Sequence, residues 1–498
     1  MRTIALSIAA LLITVTMIAT GSDESKSKPQ VEQKPAEWKS DRFVVHEWGT
    51  FTSFSGADGV KLEFRPLVDN DLPQFVFNRD RQSGNMLALF MKRDWSVFQR
   101  METPVTYFYT DRIRQARVRV GFPTGLLTEF YPPVETMKPN RGVANKKQMR
   151  DSELDWGDVW LIPEDKIRLD AGDQKIERQL QESLVRRLLP QDTRINYFGK
   201  PKENHYAYAR ETDSALVYVQ RKLASKTRPN APNGDFFEKF LFYRGIGNFD
   251  LPLKLTAHSD GRFELFNGAE QPITSLFLVT VDGDSIRFTK HDKIDPGQRI
   301  NLVQSDRTST VDALSESVVE SLIAEKLYEK EARAMVKTWK TSWFGEQGTR
   351  LFYMLPQQVT DELLPLKVEP TPDETVRVLV GRLEIMTPEE ETRVINLVRQ
   401  SAKSRRQLKS KLAANIPGTP GAVGPPGGAA AQYVFPAAIR KMGRLAEPAL
   451  VRIRLICKDN VVRNEAAILL LEVQARIKQQ QLTKSAKNRG LTLSARAD

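Results

Sequence analysis

The sequence predicts an α+β protein in which antiparallel β-sandwich-type domains come first, followed by a helical segment and a small HEAT-like helical module. Three observations carry that prediction. Between about 238 and 305, alternating apolar and polar runs are punctuated by Asp260-Gly261, Asn267-Gly268 and Asp282-Gly283. Such dipeptides close tight hairpins because the turn needs residues that accept positive φ. From about 312 to 342 the period changes, and Leu314, Val318, Leu322, Leu327, Met335 and Trp339 recur at helical spacing. A Gly/Pro-rich stretch at 416–431 then separates off a last helical pattern at 432–478.

Taken in order, residues 1–21 read as a secretory signal: a short basic start, an apolar run from Thr3 to Thr20, and small residues at Ala19 and Gly21. A run of about 18 residues is also the lower limit for a membrane helix, so an uncleaved anchor is the alternative. No cysteine lies near the site, which excludes a lipoprotein. Residues 22–40 are charged, polar and Pro-containing, and read as a disordered spacer. An N-terminal β-rich domain is expected over 41–230. Its strand patterns include FVVHEWGTFTSF and ARVRVGF, the latter alternating like a strand with one wet face. A β-sandwich domain over 231–310 and an α/β segment over 311–400 follow. Within the latter, Thr387-Pro388-Glu389-Glu390 marks a helix start by a capping box with proline in the first turn.

Residues 401–431 read as a basic and then Gly/Pro-rich linker. A flexible hinge leaning to polyproline II suits it better than a collagen helix, since three triplets cannot hold a triple helix. The HEAT-like module at 432–478 has too few repeats to stand alone and must lean on the body or on a partner. Residues 479–498 read as a basic disordered tail.

The charge is uneven. Residues 401–498 hold 18 lysines and arginines against five acidic residues, a surplus that already exceeds the +12 of the whole chain. A neutral body therefore carries a basic C-terminal arm. For an exported chain the expected partner of residues 401–498 is an anionic envelope component or a protein, and no nucleic acid is expected. Cys457 is the only cysteine, so no intramolecular disulfide forms, and no second apolar run predicts a membrane span after signal cleavage.

No established catalytic motif is present: there is no GxSxG elbow, no HExxH and no phosphate loop. Gly245-x-Gly247 lacks a third glycine, and Asp282-Gly283-Asp284 lacks the other ligands of a calcium loop. Candidate catalytic residues are His46 and Glu47, and the cluster His205, Arg210, Glu211 and Asp213, which offers acid, base and anion-binding groups within nine residues. In an extended VVHEWGTF, however, His46 and Glu47 point to opposite faces. His46 and His205 with carboxylates are the candidate metal ligands. Glu102 and Glu129 stand beside aromatics, as the carboxylates of a glycoside hydrolase do. These sets make a hydrolase of polysaccharide or another envelope polymer the alternative to a binding or scaffolding protein. No cofactor is indicated.

FVVHEWGTFTSF, METPVTYFYT, GFPTGLLTEFYPP, HYAYARETD, FLFYRGIGNFDLPL and ARAMVKTWKTSWF, with the stretch from LLPLKVEPTP to LEIMTP, resemble a group of uncharacterised exported bacterial proteins marked by the HEWGTF string. The resemblance covers residues of about 41–390. It implies export and assigns no catalytic residue. The linker and the HEAT-like tail lie outside it.

Overall fold

In a computed structural model, the structure describes residues 41–65, 76–79, 96–140, 149–163, 205–222, 233–414 and 435–488. The signal segment 1–21, the spacer 22–40 and the Gly/Pro-rich stretch 416–431 lie outside the described residues, as does the chain from 489 onward. The fold is mixed α+β with several sheets, largely antiparallel: one of ten strands, one of six and one of three among the described residues.

The architecture is organised around the strand Phe43–Ser55. All thirteen of its residues are buried. It pairs in parallel with Glu374–Ile385, from Val44 opposite Glu374 to Ser55 opposite Ile385. Parallel pairs sit where both faces are covered, and here both are. Alternate residues Phe43, Val45 and Phe51 join the core formed with the six- and three-stranded sheets, which includes Val118, Trp156 and Leu265. Val44 and Trp48 join the opposite core with the helices Val311–Ala324 and Glu329–Phe344. The ten-stranded sheet is thus a middle layer between helices and smaller sheets. The expectation of antiparallel sheets needs correction at this central pair, which only a strand over three hundred residues downstream could supply.

The turns at Asp260-Gly261 and Asp282-Gly283 form as expected, with Gly261 at φ 82° and Gly283 at φ 59°. Asn267-Gly268 is not a hairpin turn. The Asn267 amide instead donates to the carbonyls of Gln271 and Ile294, tying the small sheet to the large one. Strands of 253–303 therefore divide between two sheets: Leu253–Ala257, Arg262–Asn267 and Arg299–Val303 make the small one, while Ile273–Asp282 and Ser285–Ile294 form an edge of the large one.

The helical period of 312–342 corresponds to two helices, broken at Glu325–Tyr328 where Lys326 takes φ 72°. All six residues that carried the period are buried. Thr387 caps the next helix, Pro388–Ala414, accepting from the N–H of Glu390 at 3.3 Å. That helix runs through the basic stretch 401–414, which is therefore not linker. Val394, Val398 and Ala402 give it a buried stripe that continues past Gln400. The last helix, Asn460–Asn488, likewise extends past 478 into the stretch read as a disordered tail. Helices Pro388–Ala414, Ala446–Ile456 and Asn460–Asn488 pack with Phe54, Leu62 and Phe64 of the body into one apolar cluster.

Inside the middle layer, Gly381 lies opposite Tyr353. A Cβ at this glycine would come within 2.3 Å of the buried tyrosine ring. Gly381→Ala is expected to lower unfolding free energy by about 1–3 kcal/mol through overpacking. Denaturant unfolding should show a lower midpoint with an unchanged slope.

Candidate functional site

His46 and Glu47 occupy opposite faces of the central strand, as the period of two requires. On the helical side, His46 Nδ1 lies 2.8 Å from Glu331 Oε2. The same carboxylate accepts from the Tyr109 hydroxyl at 2.7 Å and from the N–H of Tyr328 at 2.9 Å. The rings of Tyr328 and Tyr109 enclose the imidazole, with centroids 4.3 and 5.4 Å away. Burial, then the Glu331 carboxylate, pushes the Tyr109 hydroxyl well above its usual range. His46 and Glu331 are both buried. The dyad fastens the helix Glu329–Phe344 to the sheet.

Glu47 serves the other face. It accepts from Arg377 Nε at 3.0 Å, from the Thr106 hydroxyl at 2.8 Å and from the Tyr243 hydroxyl at 2.9 Å. Arg377 also donates to Asp361 at 2.8 Å. His46 and Glu47 therefore do not converge on one reaction centre.

The segment His205–Arg210 is a short 3₁₀ helix. The Arg210 guanidinium forks onto Glu238, with Nε and Nη2 at 2.9 and 2.8 Å. Glu211 pairs with Lys337, and Asp213 with Lys330 at 2.6 Å, both lysines belonging to the helix Glu329–Phe344. The cluster is a strap onto that helix, each acid with its own cation. The side chain of His205 lies outside the described residues. Glu129 accepts from the Thr128 hydroxyl at 2.6 Å, whereas Glu102 belongs to a different assembly. Among the described residues no group of three or more His, Cys, Asp or Glu is placed to hold a metal ion.

That assembly is a buried arginine cluster at the end of the sheet, beneath the C-terminal helices. Arg382 donates to Glu384 at 2.5 Å and to Glu346 at 2.7 Å. Arg350 reaches Glu384 at 3.3 Å and the Trp343 carbonyl at 2.7 Å. Arg444, from the C-terminal module, bridges Glu102 at 3.3 Å and Glu346 at 2.9 Å. Arg244 donates to the Glu102 carbonyl at 2.8 Å, and Arg100 lies 3.9 Å from the Glu102 carboxylate. Glu102 Oε2 and the hydroxyls of Thr50, Thr52 and Thr103 are buried without a hydrogen-bond partner among the described residues. A 30 Å³ cavity borders Thr52, Arg100, Glu102 and Arg444, about the liquid volume of one water molecule. Burial would raise the Glu102 and Glu384 carboxyls, but the surrounding guanidinium groups outweigh it and hold both below the usual carboxylate range. Sequence reasoning singled out Glu102 beside aromatics but missed the arginines and glutamates that surround it. Their signal is the pair Arg382 and Glu384 in the otherwise apolar run 378–385, since buried charges occur with partners.

Comparisons with known proteins add no identity. No family model matches the chain, and no curated protein matches it. Among solved structures, the mu-homology domain of yeast delta-COP-I in complex with a Dsl1 WxWxV peptide aligns at 6% identity. It covers 70% of this chain and 98% of its own, with a TM-score of 0.22, too low to carry an argument.

The depressed carboxyls set the acid response. A carboxylate whose folded pKa is lowered contributes stability that is complete above the unfolded value and is lost as pH falls through the folded one. Unfolding free energy contributed by Glu102 and Glu384 should thus be constant above about pH 5 and decline below about pH 4. Glu384→Gln leaves Arg350 and Arg382 short of a buried counter-charge and is expected to cost about 3–5 kcal/mol at neutral pH. Denaturant melts across pH, on both proteins, check each expectation; the variant should show a shallower acid slope.

Proposed function

We propose that this chain is an exported cell-envelope protein that binds or scaffolds, and that its C-terminal helices engage an anionic envelope surface. The observation that carries this reading is the outer face of those helices. Leu455, Val461, Ile468 and Leu471 are exposed there, with Leu455 and Leu471 at 64% and 67%. Val461, Ile468 and Leu471 share one side of the helix Asn460–Asn488 by their spacing. Exposed Arg454, Lys458 and Arg463 belong to the same stretch. Exposed apolar side chains and cations in one stretch suit an anionic surface that offers both charge and apolar contact.

Two features support binding over catalysis. The described side chains among the candidate catalytic residues are engaged in hydrogen bonds or ion pairs that join layers or straps. Part of the basic arm is also occupied internally: Arg405 pairs with Glu465 and Glu472, and Arg452 with Glu391 and Asp58. The cations left on the outer face are the ones that favour an external partner. In this reading the stacked sheets are sandwich-type, residues 435–488 form an incomplete HEAT-like unit completed by contact with the body, and residues 1–21 direct export.

Co-sedimentation with isolated envelope fractions tests the proposal. The full chain is expected to sediment and to be released by salt. Leu471→Asp and the combined Arg454→Glu, Lys458→Glu are each expected to weaken sedimentation by about tenfold or more, at unchanged thermal stability. Equal sedimentation of all three proteins would overturn it.

A further inference from the structure

We propose that the exposed face of the helix Pro388–Ala414 binds a linear phosphodiester polymer along the row Arg399, Lys403, Arg406 and Lys409. The inference rests on the reading that the C-terminal helices meet an anionic envelope surface, and it names the anion. From 392 to 414 the chain carries seven lysines and arginines and no acidic residue. The four cations of the row are exposed. They follow one another at i+4, i+3 and i+3, so neighbouring side chains start about 5–6 Å apart at Cβ, and the row runs for about 15 Å.

The chain provides acids for cations that serve the fold. Arg333 pairs with Glu329 one turn away and with Glu316, and Arg393 pairs with Glu390. Within the basic stretch itself, Arg405 turns inward and meets both Glu465 and Glu472. The row is treated differently. Arg399 donates to the Asn396 side chain at 2.8 Å, and Lys403, Arg406 and Lys409 have no ion pair among the described residues. Like charges at i+3 and i+4 repel one another and weaken a helix. An external polyanion laid along the row relieves that repulsion at every step.

The surroundings of the row select the chemistry of the partner. Gln400, Ser404 and Gln407 are exposed beside it, and side-chain amides and hydroxyls join lysine and arginine in holding phosphate oxygens. No large apolar or aromatic side chain is exposed on this helix among the described residues. The row therefore offers neither an insertion point for a bilayer nor a stacking platform for sugar rings or unpaired bases. What it offers is charge in a line, and a phosphodiester chain carries its anions in its own backbone. An envelope location selects a polyol phosphate over a nucleic acid. The row is also held straight from behind: Val394, Val398 and Ala402 are buried, and the Ser401 hydroxyl donates to Glu465 at 2.6 Å. Binding thus orders side chains and no backbone, which keeps its entropic cost low.

The test is fluorescence anisotropy of fluorescein-labelled poly(glycerol phosphate), titrated with the full chain at several salt concentrations. Contact with one phosphate per cation of the row gives log affinity against log salt a slope of about −3. Arg399→Gln, Lys403→Gln and Arg406→Gln combined should weaken binding by about tenfold or more and bring the slope to about −1. Thermal stability of that variant should hold or rise, since the repulsion is gone. Lys254→Gln, Lys290→Gln and Lys367→Gln combined remove the same charge from exposed sites on the body, and should leave binding within about twofold. Polygalacturonate, with its carboxylates on sugar rings, should compete about fivefold less well per charge. Absence of binding at low salt would overturn the proposal, as would equal loss in the two triple variants or equal competition by polygalacturonate. Sedimentation with envelope fractions is read separately: a chain that sediments but leaves the polymer unbound defeats this inference and spares the envelope reading.

Discussion

The structure depends on one strand buried on both faces. Phe43–Ser55 lies in the middle of the middle layer, and its neighbouring side chains bind different layers. His46 reaches Glu331 on the helical side, while Glu47 reaches Arg377 and Tyr243 on the other. A polar group inside a core is tolerable only with its partners in place. Each network therefore fixes the layer it touches in one position. A slip of one residue would exchange the two faces and leave both sets unpartnered. The polar residues of VVHEWGTF select the register, and the apolar ones supply the area buried.

The arginine cluster extends the same logic to the C-terminal module. Arg382 and Arg350 are held from the sheet, and Arg444 enters from the module to share Glu346 with Arg382 and Glu102 with Arg100. Nearby, Arg452 reaches Glu391 and Asp58. Apolar contact through Phe54, Phe64, Leu450 and Ile453 brings the helices onto the body, and non-directional contact alone would let them slide. The guanidinium forks restrict that freedom, because planar bidentate pairing tolerates little displacement. The module is joined to the sheet by charge as much as by packing.

The parts of this fold legible in the sequence are those set by local chemistry. Gly261 and Gly283 announce their turns because no other residue takes their φ as easily. Thr387 announces its helix by a cap, and the opposite orientation of His46 and Glu47 follows from strand geometry alone. Their partners were not legible, since Glu331 and Arg377 lie 285 and 330 residues away. The parallel pairing to Glu374–Ile385 was hidden for the same reason. Lys326 broke the helical period without glycine or proline to mark it. Asn267-Gly268 misled because the Asn267 side chain bonds two distant carbonyls in place of closing a turn. Charge counting treated Arg405, Arg444 and Arg452 as free arm charges, whereas each completes a contact that exists only in the folded chain.

These assignments bear on where activity can reside. A catalytic base has to reach a reacting atom, and His46 is walled in by two tyrosines and a glutamate. The chemistry-bearing residues of the interior thus act as fasteners, and the more complete their pairing, the less they can do for a substrate. Incomplete pairing among the described residues persists inside the molecule, at Glu102 Oε2 and the hydroxyls of Thr50, Thr52 and Thr103, while the exposed leucines lie among cations on the last two helices.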